Sequence, residues 1–496
     1  MDMVTAMVTA TAMGRNKGHK KAARFAACTL ALAGFVPVVG AAEWTIVPRV
    51  NVEETFSDNV GLQPSGSERG ELITSVEPGV AIRGEGSRFQ VSVEYNLEAL
   101  KYLDNNDADT INHQAQVGAS AEIYENLAFV DMNMSMSQQN SDALGITASD
   151  NLSITGNKTD VMTFSVSPYL RHHIGNYFDT ESRITVDQVT NDTDGNSTRS
   201  RSRRAQFTAT SGNKFLRAPW NVRFESQRLS NSDGSTSKFN RLDGEVRYRI
   251  SRRYALIGRA GFEDNEFTSS QNSQDGPSWA IGLNWTPTPR TNIDFGYGQR
   301  FFDGNFFLQA QHRTRRLTFA ASYRKDLTTS RQLQIERVLV PVVDDSGLPI
   351  LDPASGTQIE VPVDSVNPTD EVLVQANFDA SIRYRGRRTD GQLEVFRSER
   401  KFQVSSNENI VSGLRLQMSR RISRRGTVSV SGLAQLTEDK AVNQEDTRLQ
   451  LNLRYAHTLG QNFRATAGLA HVTQDSNLAN NDFDENRLTV GLLATF

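Results

Sequence analysis

The chain has 496 residues and a single cysteine, Cys28, which falls within the first forty. The body of the protein therefore has no disulfide and no thiolate metal site to draw on. Long apolar runs are missing too. Beyond residue 42 no stretch approaches the roughly 20 apolar residues that a spanning helix needs, which excludes a helical membrane protein. Chemistry-bearing motifs are equally scarce: HExxH, paired CxxC and GxSxG do not occur, and Gly156-Asn157-Lys158-Thr159 lacks the spacing of a phosphate-binding loop. His172-His173 has no serine or acidic partner at a recognisable spacing, and Asp104, Asp107 and Asp109, like Asp482, Asp484 and Glu485, read as carboxylates that keep loops soluble. No enzyme, cofactor or metal centre is expected.

What is present begins with an export signal. Lys17, Lys20, Lys21 and Arg24 form a basic stretch, Phe25 to Val39 an apolar one, and Gly40-Ala41-Ala42 a small-residue cleavage site. Residues 1–42 read as a signal peptide, and initiation at Met13 would give it a more ordinary length. Cys28 follows the basic residues too closely for a lipoprotein. Removing the signal's five Lys/Arg and one Asp moves the formal charge from −3 to −7, which gives no support to nucleic-acid binding.

From Glu43 to Phe496 one pattern recurs: about ten residues of alternating character, then a turn. Leu449, Leu451, Leu453 and Tyr455 share one face while Arg448, Gln450, Asn452 and Arg454 share the other; Val372 to Tyr384 and Phe89 to Glu98 alternate likewise. A helical period would scatter these residues around an axis. Short turns, as at Glu85-Gly86-Ser87, Tyr124-Glu125-Asn126, Pro287-Thr288-Pro289 and Leu459-Gly460-Gln461, alternate with long Asn/Asp/Ser-rich connections such as 58–71, 104–110, 138–158, 271–276 and 475–484. Short periplasmic turns and long outer loops are the rule for all-β outer-membrane proteins. The expectation is a transmembrane antiparallel up-and-down β-barrel of about 22 strands (range 16–22), with lipid and the barrel-assembly machinery as partners.

The last strand is the most specific local signal. Leu488, Val490, Leu492, Ala494 and Phe496 face one way, Thr489, Gly491, Leu493 and Thr495 the other; the segment is similar to the assembly signal of outer-membrane proteins, with Thr489, Gly491 and Phe496 as its marked residues. Trp279, Trp285, Tyr254 and Tyr323 read as interfacial girdle residues. The polar faces would line the lumen: Glu94, Glu98, Glu122 and Asp131 early in the chain, Arg383, Arg415, Arg448, Arg454 and Arg464 late. Closure would set these two groups against each other as a transverse charge separation, unless they pair locally and only solvate the wall. A 22-strand barrel, about 40–45 Å across, needs an obstruction or passes something bulky. No plug domain is read ahead of the first strand, an expectation against TonB-dependent transport. Residues 331–370 form the candidate obstruction: 338–343 and 359–363 read as a hairpin, interrupted by Asp344-Asp345-Ser346-Gly347, that stands outside or folds into the lumen.

Trp44-Thr45-Ile46-Val47-Pro48, Glu54-Thr55-Phe56-Ser57-Asp58-Asn59-Val60 and Glu77-Pro78-Gly79-Val80 together resemble the opening of the outer-membrane barrels associated with the PEP-CTERM/exosortase system, which overlap barrel porins of exopolysaccharide gene clusters. The resemblance is sharp over about forty residues and architectural elsewhere. It implies a porin-like barrel associated with exopolysaccharide export or assembly, with the polymer and its export proteins as partners. It supplies no site residues. The alternatives are a non-conducting scaffold or adhesion barrel and a general solute-diffusion porin.

Overall fold

The computed structural model describes residues 42–496 apart from 142–144, 194, 269–274 and 340–370. The signal peptide lies outside the described residues, as does the hairpin read at 338–363 apart from its first two residues.

Alternation becomes strands throughout: β1 (Glu43–Ser57), β2 (Glu71–Glu85), β3 (Phe89–Tyr102), β4 (Thr110–Tyr124), β5 (Ala128–Asn140), β6 (Lys158–Ile174), β7 (Phe178–Thr193), β8 (Asn196–Ser211), β9 (Trp220–Asn231), β10 (Thr236–Arg249) and β11 (Tyr254–Glu266). The second half continues with β12 (Gly276–Thr288), β13 (Thr291–Arg300), β14 (Asp303–Arg313), β15 (Leu317–Thr329), β16 (Val372–Arg385), β17 (Thr389–Phe402), β18 (Glu408–Arg421), β19 (Gly426–Asp439), β20 (Gln444–Thr458), β21 (Phe463–Ser476) and β22 (Phe483–Thr495). Each strand pairs antiparallel with its sequence neighbours. β1 then pairs with β22 from Arg49↔Thr495 to Ser57↔Arg487, so the 22-stranded sheet closes on itself.

Because side chains alternate along a strand, one register decides every face. Trp279, Ile281 and Trp285 are 47, 66 and 37% exposed, on the outside with Leu488, Val490 and Leu492, whereas Asn51, Thr55, Ser57 and Asp187 are buried on the inside. A closed sheet with an apolar outer band and a polar interior is a transmembrane barrel of the bacterial outer membrane, since closure leaves no backbone edge unpaired in lipid. Among the described residues no helix is long and apolar enough to cross a membrane. The start of β1, the end of β22 and ten turns, all short but the one between β8 and β9, lie at one end, the periplasmic one; the longest connections lie at the other.

One departure from the expected all-β pattern lies after β15. Ser330–Leu339 forms a helix, α1, at the start of the segment that the sequence suggested to be a long loop, and overlaps the hairpin read there only at its last two residues. Its physical reason is the apolar recess that receives it: Ile335 packs on Val161 and Val189, lumen-facing residues of β6 and β7. Arg331 forms a buried ion pair with Asp187 of β7, and Arg204 of β8 donates to Gln332 at 2.8 Å. A helix of this length spans only about 15 Å. α1 continues from β15 and also lies against β7, so it reaches into the lumen near its outer mouth.

At the seam, Phe496 donates its backbone N–H to Pro48 (2.9 Å), and Thr55 and Thr489 share a hydroxyl hydrogen bond of 2.9 Å. Gly491 faces the lumen beside Glu53; a Cβ there would stand 2.8 Å from both the Glu53 Cγ and the Thr466 Oγ1. Gly491→Val is expected to destabilise closure by about 1–3 kcal/mol. A lowered melting point in the heat-modifiability gel shift of the folded barrel checks this; unchanged mobility at every temperature would refute it.

Candidate functional site: the lumen and its in-folded outer mouth

The lumen wall is built from the polar half of each strand, and its charges are held largely in pairs. Arg49 of β1 contacts the Glu94 carboxylate and donates to Asn96 (2.8 Å). Arg183 reaches Asp131 (2.8 Å), Arg415 reaches Glu394 (3.2 Å), and Arg454 of β20 crosses two strands to Glu53 (2.6 Å). Arg300 is buried between Glu263 (2.7 Å) and Asp326 (3.0 Å). Three aromatic surfaces on this wall lie beneath guanidiniums: Tyr169, stacked on Phe129 at 5.2 Å, lies under Arg183 (3.8 Å), Phe307 under Arg259 (4.1 Å) and Phe396 under Arg415 (4.9 Å).

The residues singled out in the sequence fall as follows. Glu98 accepts from Asn112 (3.0 Å) and from Asn151 of the β5–β6 loop (2.7 Å), and Glu122 accepts the backbone N–H of Asn126 in the next turn. Arg383 stands on the lumen face of β16 opposite Gln392, and Arg464 on that of β21 opposite Thr458. Glu94, Asp131, Arg415 and Arg454 thus pair with residues that the sequence reading did not single out, Arg49, Arg183, Glu394 and Glu53, on the same or nearby strands of the wall. Trp279 lies at the outer end of β12, Trp285 near its periplasmic end beside Tyr254, and Tyr323 on the outer face of β15 against Phe306 (5.7 Å).

A feature not anticipated from sequence is that the connection between β5 and β6, described here over 145–157, also folds inward. Arg487 of β22 binds Asp150 and the Ser153 hydroxyl, while Arg448 of β20 donates to the Thr147 carbonyl (2.6 Å). Tyr102 donates to the Leu152 carbonyl (2.8 Å), Lys158 to that of Ser153 (2.8 Å), and the Ile154 amide to Val60 (2.8 Å). Apolar contacts complete the seat: Leu152 and Ile154 pack on Val60, Ile73, Leu100 and Tyr102, and Ala148 joins Leu62, Val472 and Phe483. This loop and α1 occupy different parts of the outer mouth. The sequence clue was slight: Leu100, Val472 and Phe483 are apolar residues in lumen register, where solvent would otherwise meet them. Among the described residues no group of three or more His, Cys, Asp or Glu is placed to hold a metal.

No protein-family model and no curated protein matches the chain. Its structure is similar to the FrpB iron transporter from Neisseria meningitidis (9% identity, 90% of this chain and 82% of that one, TM-score 0.48). It is also similar to the siderophore receptor PirA from Acinetobacter baumannii (9%, 90% and 80%, 0.48) and the ferric enterobactin receptor PfeA from Pseudomonas aeruginosa (10%, 93% and 82%, 0.45). At such identities and scores the barrel rests on the strand pairing itself. The resemblance to exosortase-associated barrels is corrected by these comparisons: no family model matches, and the three barrels just named are an iron transporter, a siderophore receptor and a ferric enterobactin receptor. Three of the residues that carried it bridge the closing seam. Thr55 meets Thr489, Ser57 donates to Glu485 (2.6 Å), and Asn59 donates to the Asp484 carbonyl (2.9 Å). Nor do the matches support the expectation that set TonB-dependent receptors aside, although they assign no activity to this chain.

Partial desolvation of the Asp150 carboxyl works against its charge, but Arg487 and Lys158 outweigh it and hold its pKa below the ordinary value. A depressed folded pKa contributes stability above the ordinary aspartate pKa of about 3.9, lost as pH falls through the lower folded value. A nitroxide on Ser149→Cys is therefore expected to stay immobilised from pH 7 to about 4 and to loosen below that. Arg487→Gln should loosen it already at pH 7. Equal mobility at all pH values in both backgrounds would show that the pair does not hold the loop.

Proposed function

We propose that this protein is a porin-like conduit for hydroxyl-rich solutes across the outer membrane, an exported polysaccharide being the extended case. The observation that carries this reading is the lumen wall: Ser, Thr, Asn and Gln around the sheet, with much of its charge neutralised in pairs such as Arg454–Glu53 and Arg415–Glu394. Such a wall offers many exchangeable hydrogen bonds and few deep electrostatic wells, as movement of a polar chain requires. A non-conducting scaffold is the second reading, favoured by the two segments folded into the mouth.

Single-channel recording in planar bilayers separates the two. The conduit reading expects discrete openings, and deletion of residues 146–154 should raise conductance about two-fold or more. Silence in both the intact protein and the deletion would leave the scaffold. Arg454→Glu replaces the partner of Glu53 with a second carboxylate. Cation selectivity should rise several-fold in reversal-potential measurements, and an unchanged reversal potential would show that this pair does not face the permeation path.

A further inference from the structure

The net negative charge of the chain conceals a local excess of the opposite sign. Six consecutive periplasmic turns, from β8–β9 to β18–β19, carry sixteen Lys and Arg within residues 212–219, 249–253, 289–290, 313–316, 385–390 and 420–425, against one carboxylate, Asp390. The remaining four turns, at 86–88, 125–127, 175–177 and 459–462, carry one arginine, Arg88, and it is bound to Glu125 at 3.0 Å. All sixteen cations of the crescent are exposed. Arg385 approaches Asp390 at 4.0 Å; Lys214 and Arg217 lie over Tyr177 and Tyr248, and Arg421 donates to a backbone carbonyl. Among the described residues no carboxylate lies within ion-pair distance of the others. On the outer rim the contrast is clear: Lys325, Lys401 and Lys440 each reach a carboxylate.

Like charges on neighbouring turns repel, so the arrangement costs stability unless an anion meets it. Inner-leaflet lipid would touch all ten turns, whereas this excess covers six adjacent ones. Arg249, Arg313 and Arg421 also continue the lumen-facing register of their strands, opposite Ala255, Thr318 and Thr427, which aims the crescent at the aqueous mouth. Between the turns a groove lined by Arg252, Arg253, Arg290 and Arg313 alternates guanidiniums with Thr288 and Gln311 and offers no aromatic anchor of the kind protein interfaces use.

We propose that this crescent is the periplasmic docking site for a polyanionic glycan, a hydroxyl-rich chain bearing recurrent uronate carboxylates. The inference deepens the conduit reading and rests on it for the direction of travel. Each guanidinium fork can take a carboxylate through two hydrogen bonds, and the neighbouring hydroxyl and amide groups can take sugar hydroxyls. Weak contacts repeated over an arc of about 50 Å sum to a firm but salt-sensitive hold.

The test measures binding of fluorescent oligogalacturonate to the purified barrel in phosphatidylcholine nanodiscs, by anisotropy. Binding is expected in about 0.1 M salt and should be lost near 0.5 M, where screening shortens the reach of each charge. Neutral dextran oligomers should not bind. The quadruple variant R387E/R388E/R424E/R425E should weaken binding more than ten-fold and its glutamine counterpart less, with folding confirmed by the heat-modifiability shift. Equal binding of dextran, retention of affinity by the charge-reversed variant, or no binding at all would overturn the proposal. So would polyglutamate peptide binding as tightly, which indicates an acidic protein partner, or loss of binding in phosphatidylglycerol nanodiscs, which indicates a lipid belt. Binding to a barrel that is silent in bilayers would sink the conduit reading alone; a conducting barrel that ignores oligogalacturonate would sink this one alone.

Discussion

Backbone hydrogen bonding in a medium without water is the constraint on which everything else depends. Each N–H and C=O left unpaired in hydrocarbon costs several kcal/mol, so a sheet that crosses a membrane has to close. Here closure is made by nine registered pairs between β1 and β22, reinforced by side chains that bridge the seam: Thr55 with Thr489 and Ser57 with Glu485. The register that closes the backbone also fixes, by the two-residue period of strands, which side chains meet lipid and which meet water.

From that follows the character of the interior. A wall of this circumference cannot be filled by its own side chains, so polar residues on it hydrogen-bond with one another or with segments that fold in. The ion pairs between strands neutralise charge that would otherwise trap or repel a passing solute. At the outer mouth the wall turns apolar in two places, around Val161 and Val189 and around Leu100, Val472 and Phe483, and in each place a connecting segment covers it. The mouth is thus narrowed by the same burial of apolar surface that stabilises a soluble core.

The two ends of the barrel treat charge in opposite ways. Near the outer mouth, cations such as Arg487, Arg331 and Lys440 are matched with carboxylates; along half of the periplasmic rim most of the described ones are not. Matched charges fasten a structure to itself, and unmatched ones are available to something else. The net charge of the whole chain, which is negative, reports neither arrangement.

Much of this was legible in the residues alone. The alternation at Phe89–Glu98 and Arg448–Tyr455, the short and long connections and the aromatic end at Phe496 determined an antiparallel barrel of about 22 strands, because a period of two and a closed edge leave few other solutions. The same period sets Glu94, Asp131, Arg415 and Arg454 on the polar faces of their strands. Their partners did not follow from it, since Arg454 and Glu53 are 401 positions apart and become neighbours only when the last strands return to the first. The inward fold of 145–157 and the helix at Ser330–Leu339 were likewise decided by tertiary structure: a polar loop and a weakly amphipathic segment have no local reason to turn into the lumen until distant strands offer them Arg487, Arg448 and Asp187. The arginine doublets at 252–253, 315–316, 387–388, 420–421 and 424–425 were visible as letters all along. Only the up-and-down topology, which brings every second turn to the same rim, made them one surface.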